Sequence, residues 1–187
     1  MTKKEILSQL ETTDAIRSNR IRVSELILQN QQNFLPLLEI VLDVNNKTSI
    51  KAAWILEFVF IKKPDWLFSH LDLFTKNIKN VHFGSAVRPV SKICQLLIKQ
   101  NDKTPILALT NIHKEQIIET AFDWMISDHK VAIKAYAMNT LYNLGKQFDW
   151  IHEELTQIIT NNMDKESAAY KSRGKITLLA INKFSGK

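Results

Sequence analysis

Apolar residues recur along this chain at spacings of three and four, the period that builds one face of an α-helix. In Phe34-Leu35-Pro36-Leu37-Leu38-Glu39-Ile40-Val41-Leu42 that spacing sets Leu35, Leu38 and Leu42 on one face. Between Trp66 and Ile78 the stripe is Trp66, Leu67, Leu71, Phe74 and Ile78. Ile117, Ile118, Phe122 and Met125 form another, and Ile151, Leu155, Ile158 and Ile159 a fourth. Polar breaks separate them at Asn45-Asn46-Lys47, Lys62-Lys63-Pro64, Gln100 to Asn111, and Asn161-Asn162-Met163-Asp164. The pattern predicts about nine or ten helices and no strand. Residues 52–61 are apolar on nearly every side, as in a helix covered by neighbours all round. A last helix, about Ala168 to Phe184, carries Lys171, Arg173, Lys175 and Lys183 and reads as a polar end cap.

The segments repeat. Ile50-Lys51-Ala52-Ala53-Trp54 is followed fifteen residues on by Asp65-Trp66-Leu67, and Ile133-Lys134-Ala135-Tyr136-Ala137 sixteen residues on by Asp149-Trp150-Ile151. Asn33-Phe34-Leu35, preceded by Ile21-Arg22, is a looser copy, and Val87-Arg88 and Ser172-Arg173 continue the openings. These openings, at positions 21, 50, 87, 133 and 172, lie 29, 37, 46 and 39 residues apart. Each unit is a helical hairpin: the Asp or Asn is placed to cap the second helix, and the aromatic and aliphatic pair after it to pack on the first. One hairpin cannot bury its apolar face alone, so hairpins stack. On this reading Trp66 and Trp150 are hairpin-packing residues, and Trp54 and Trp124 core.

Composition narrows the picture without changing it. Of 187 residues, 45% are hydrophobic and 24% charged, ordinary for a folded domain, while four Gly and four Pro leave little for strand turns. The one cysteine, Cys94, sits in an apolar run and reads as a buried hydrophobe, with a reducing cytoplasm as the expected setting. No apolar leader begins the chain and no stretch is long enough to span a bilayer, so no membrane role is expected. The net charge of +6 permits an acidic partner, nucleic acid included.

Four segments carry a resemblance: Ala52-Ala53-Trp54-Ile55-Leu56-Glu57, Ser85 to Ile93, Lys134 to Leu141, and Ser167 to Arg173. With these the whole chain resembles a family of short bacterial HEAT-like proteins. That resemblance implies an all-α fold, a right-handed HEAT/ARM-like α-α superhelix of about five helical hairpins. The chain length fits a single domain spanning 1–187, and a monomer is expected. Members sometimes carry the label adenylosuccinate lyase. Lyases of that name are more than twice as long and use a flexible loop, Ser-Ser-x-Met-Pro-x-Lys-x-Asn; no such loop occurs here.

Nor do the residues themselves suggest catalysis. His70, His82, His113, His129 and His152 are too widely spaced for a metal motif and read as helix-surface histidines. Ile151-His152-Glu153-Glu154-Leu155 lacks the second histidine of a zinc-protease helix. The glycines stand singly, and Gly145 reads as a helix stop. We therefore expect no catalytic residue, metal or cofactor.

A surface remains. If the repeat openings start the inner helices, Lys51, Arg88, Lys134 and Arg173 form a basic row on the concave face. Arg22 extends the row, with Lys92, Tyr136, Asn139 and Tyr170 nearby. Such cations either meet an acidic or extended protein segment, or pair with acids of the next repeat. A protein or peptide partner is the first expectation. Nucleic acid, by analogy with HEAT-like DNA-alkylation-repair proteins, is the second.

Overall fold

A computed structural model describes residues 1–186, and among them there is no strand. Ten α-helices follow in order: α1 (Lys3–Glu11), α2 (Arg17–Leu28), α3 (Phe34–Val41), α4 (Thr48–Lys62), α5 (Leu71–Asn77), α6 (Gly84–Lys103), α7 (Asn111–Ile126), α8 (Val131–Leu144), α9 (Trp150–Asn162) and α10 (Ala168–Ser185). Short 3₁₀ turns cover Gln31–Asn33, Pro64–His70 and Ile78–Asn80. The polar breaks fall at or just past helix ends as the pattern predicts, with one exception. The connection expected from Gln100 to Asn111 shrinks to residues 104–110, because α6 runs on to Lys103. Buried Asn101 sustains that ending: its Oδ1 accepts a hydrogen bond from the Ile106 amide at 3.0 Å.

Two compact units divide the chain: Met1–Ile93 with Leu107–His113, and Cys94–Ile106 with Lys114 onward. In the first, α4 is the centre, packed by α1, α2 and α3. Its Ala52, Ala53, Ile55, Leu56, Val59 and Phe60 are buried, but Trp54 and Phe58 are half-buried and Ile61 is 51% exposed, so α4 is not covered on every side as its all-round apolar sequence suggests. In the second, α8 packs against both α9 and α10. Cys94 is buried and unpaired, and burial pushes its thiol pKa up, away from the reactive thiolate.

Three expectations are corrected. On α3 the buried face is Phe34, Leu37, Leu38 and Val41, whereas Leu35 is exposed and Leu42 half-buried. Glu39 is the only polar residue of α3, so the apolar spacing alone cannot fix the phase; Glu39 turns outward and pairs with Lys3 at 3.2 Å. The second correction concerns the acid and amide caps. Asp149 precedes α9 with helical backbone angles and makes no capping bond, and Asp65 lies inside the 3₁₀ turn that follows Lys63. Asn33 caps the opposite end: its Nδ2 donates to the carbonyls of Leu26 and Ile27, at the close of α2. A side-chain N-cap needs extended backbone, and Asn33 and Asp149 are already wound. Third, α10 is not a purely polar cap, since Ile176 and Leu179 stand exposed among its cations.

Two glycines are set by space rather than by backbone conformation. Gly145 ends α8 with ordinary helical angles, and a Cβ there would lie 2.1 Å from the His152 Cδ2. Gly174 lets α10 approach α9, where a Cβ would meet Ile159 Cγ2 at 2.8 Å.

Candidate interaction surface

Within the first unit, a proline organises the surface of α4 and α6. Pro89 has no backbone N–H, so the Ser85 carbonyl one turn earlier loses its helical donor. The Trp54 indole supplies the replacement, donating from Nε1 to that oxygen at 3.0 Å. This holds Trp54 half-buried on α4, with Phe58 four residues on and therefore on the same side. Over both rings lies the Arg20 guanidinium from α2, 5.7 Å from the centre of Trp54 and 5.6 Å from Phe58. Each such contact is worth about 0.5–1 kcal/mol at an exposed site. No carboxylate lies within ion-pair reach of Arg20 among the described residues.

Beside the rings sits Glu57, only 7% exposed. A carboxylate so placed must be paired, because burying it alone costs several kcal/mol. Lys92 donates to its Oε1 at 2.6 Å, and an Arg88 Nη2 stands 3.8 Å from its Oε2. Arg88 and Lys92 are one turn apart on α6 and both remain partly exposed. Two cations thus hold one acid, and a third lies over the two aromatic rings of the same helix.

The other members of the predicted row are held differently. Lys51 donates at 3.0 Å to the carbonyls of Leu10 and Glu11 at the end of α1. Arg22 is exposed and donates to Gln9 at 3.0 Å. In the second unit Lys134 is only 8% exposed; it pairs with Glu166 at 2.5 Å and lies 5.8 Å from the centre of the Tyr170 ring. The Tyr170 hydroxyl is buried without a hydrogen-bond partner. Burial first, and the Glu166 charge second, push its pKa up to about 12. Burial, with the Lys134 charge behind it, lowers that of His129. Arg173 and Tyr136 are half-buried, and Asn139 spends its amide on the Ala135 carbonyl at 3.0 Å.

The structure therefore brings Arg88 and Lys92 together on Glu57, and Lys134 and Tyr170 together beside Glu166. Arg20, Trp54 and Phe58 were not singled out as site residues by the sequence reading. The signals in the chain are the Trp54–Phe58 spacing and the proline inside α6; nothing in the sequence flags Arg20.

Two histidines are buried rather than on helix surfaces. His113 is fixed by the Thr110 amide, donating to its Nδ1 at 3.1 Å, and by Asp72, 2.6 Å from its Nε2. His152 fills the space that Gly145 leaves, donating from Nε2 to the Tyr142 carbonyl at 2.8 Å. Trp150, read as a packing residue, is 55% exposed and rests on Phe122 with ring centres 5.8 Å apart. Trp54 is only half-buried, whereas Trp124 is in the core. Among the described residues no three His, Cys, Asp or Glu side chains gather as metal ligands, and no helix is long and apolar enough to cross a membrane.

No curated protein and no solved structure matches the chain. A family model does: that of the HEAT repeat domain, over residues 5–181. With ten helices among the described residues, its repeated openings and a match over nearly its whole length, the chain belongs to the HEAT repeat domain family, an all-α fold of the α-α superhelix class.

Proposed function

We propose that this HEAT repeat protein is a non-catalytic scaffold that holds an acidic protein or peptide segment on the α4–α6 face. One observation carries the reading: Arg20, Arg88 and Lys92 converge on Trp54, Glu57 and Phe58 with a single carboxylate among them. That excess of positive charge is pre-oriented, since Glu57 anchors two of the cations and the rings support the third. A peptide offers such a site both an acid for the guanidinium groups and an apolar side chain for the rings. Residues 1–187 act as one domain in this reading, with α6 common to both units. The buried, unpaired Cys94 suits a cytoplasmic setting.

A phosphate backbone fits less well. Glu57 and Glu166 stand among the cations of the row, and duplex binding draws on many unpaired ones. The test is a fluorescence-anisotropy titration with single- and double-stranded DNA and RNA, at low and near-physiological salt. The reading predicts no saturable binding that depends on Arg88 and Lys92. Saturable binding that falls steeply with salt and vanishes in Arg88→Glu/Lys92→Glu would make nucleic acid the partner instead.

A further inference from the structure

The second unit carries two exposed apolar faces of opposite charge. One is on α7 and α9. Glu119, Phe122, Asp123 and Ile126 share a side of α7, and Trp150, stacked on Phe122, brings Glu153 of α9 alongside. Ile126 and Trp150 are 67% and 55% exposed. Together α7 and α9 carry Glu115, Glu119, Asp123, Glu153 and Glu154 against the single lysine Lys114. The other face is on α10, where Ile176 and Leu179 are 54% and 69% exposed. Lys175 and Lys183 lie one turn before and one turn after Leu179 on the same side, and α10 has no acid at all.

Apolar side chains this exposed, rimmed by charge, mark a surface that is covered in use. A large, exposed tryptophan at the centre of one of them is the residue type that most often anchors an interface. Charge decides the occupant. Pairing α10 with α10 sets lysines against lysines, and pairing the α7–α9 face with itself sets acids against acids. The unlike pair joins Lys175 and Lys183 to Glu119, Asp123 and Glu153, while Ile176 and Leu179 meet Trp150, Phe122 and Ile126.

We propose that the chain self-associates through this pair of faces, α10 of one copy seating on the α7–α9 face of another. This departs from the monomer that the sequence leads one to expect. The contact is small, so association is weak and concentration-dependent. It is also salt-sensitive, because the charges lie at the rim.

Sedimentation velocity from about 10 to about 500 µM at low salt tests it, a range suited to weak contacts of this size. The mass-average should rise with concentration and fall when salt is added. Leu179→Glu and Trp150→Ala should each hold the protein monomeric with an unchanged far-UV circular dichroism spectrum, since both residues are exposed. Mixed one to one, these two variants should associate again, because each keeps the face that the other lacks. Arg88→Glu/Lys92→Glu should self-associate like the parent, which separates this proposal from the function assigned to the α4–α6 face. A protein monomeric throughout, an association that survives either substitution, or a mixture that stays monomeric overturns the proposal.

Discussion

Arg88 and Lys134 occupy equivalent openings of the repeat, and the two units use them in opposite ways. In the first unit Arg88 stays 42% exposed and shares Glu57 with Lys92, so the acid is buried and the cations face outward. In the second unit the cation goes inside: the Lys134 side chain is 10% exposed, locked to Glu166 and laid over Tyr170. A repeated sequence position therefore fixes where a side chain starts, not what it does. That depends on which partner the neighbouring helix offers. Beside α4 the partner is buried Glu57, which leaves positive charge at the surface; beside α8 it is Glu166 at the foot of α10, which draws the lysine down.

The contrast predicts that losing Lys134 in the second unit damages stability, whereas losing Arg88 in the first damages only binding. The largest effect is expected from Gly145→Ala. Its Cβ would overlap the His152 ring, which must leave its slot between Tyr142 and Phe184 and lose its bond to the Tyr142 carbonyl. Urea denaturation should show a loss of about 3 kcal/mol, the upper range for overpacking. Gly145→Ala/His152→Ala should recover part of that loss. A single substitution as stable as the parent would show that the slot is not tight.

Next comes the direct comparison. Lys134→Ala leaves Glu166 without its cation and opens a gap above Tyr170, and should cost about 2 kcal/mol, less than a fully enclosed pair because Glu166 retains some access to water. Arg88→Ala removes a half-exposed group while Lys92 still neutralises Glu57, and should change stability by no more than about 0.5 kcal/mol. Equal losses would erase the distinction between the units.

A further effect, of the opposite sign, concerns Tyr170. Its hydroxyl is buried without a partner, so Tyr170→Phe should be neutral or stabilise by up to about 1 kcal/mol. The pH dependence has a fixed sign. The folded-state pKa is raised from the ordinary 10.0 to about 12, so the neutral phenol is favoured by folding. Stability is then unaffected below pH 10 and falls as pH rises from there towards 12. Thermal unfolding across that window should show the fall in the parent and a shallower one in Tyr170→Phe. Identical slopes would assign the alkaline loss to other groups.

Most of the fold was legible because helices announce themselves twice, by apolar period and by polar breaks. The Trp66–Ile78 stripe is buried throughout, and the breaks at Asn45, Lys62 and Asn161 all fall at or just past helix ends. What failed did so for local reasons. The face of α3 was ambiguous because almost every residue in it is apolar. The capping role of Asn33 went to the preceding helix because a wound backbone turns the side chain backwards. Trp150 matches Trp66 in the repeat yet lies at the surface, 55% exposed and resting on Phe122. At the candidate surface, Lys92 and Arg88 could be paired by their spacing of four, but Arg20 reaches Trp54 only through the packing of α2 on α4. No spacing within the chain encodes that contact.

The central claim is that the α4–α6 face takes an acidic segment, and selection from a displayed library of random 12-residue peptides tests it most directly. The account predicts enriched peptides that combine Asp or Glu with an aromatic or aliphatic residue. Their binding, measured by anisotropy, should be lost in Arg88→Glu/Lys92→Glu and weakened about tenfold in Trp54→Ala. No enrichment, or binders that ignore both substitutions, would contradict it.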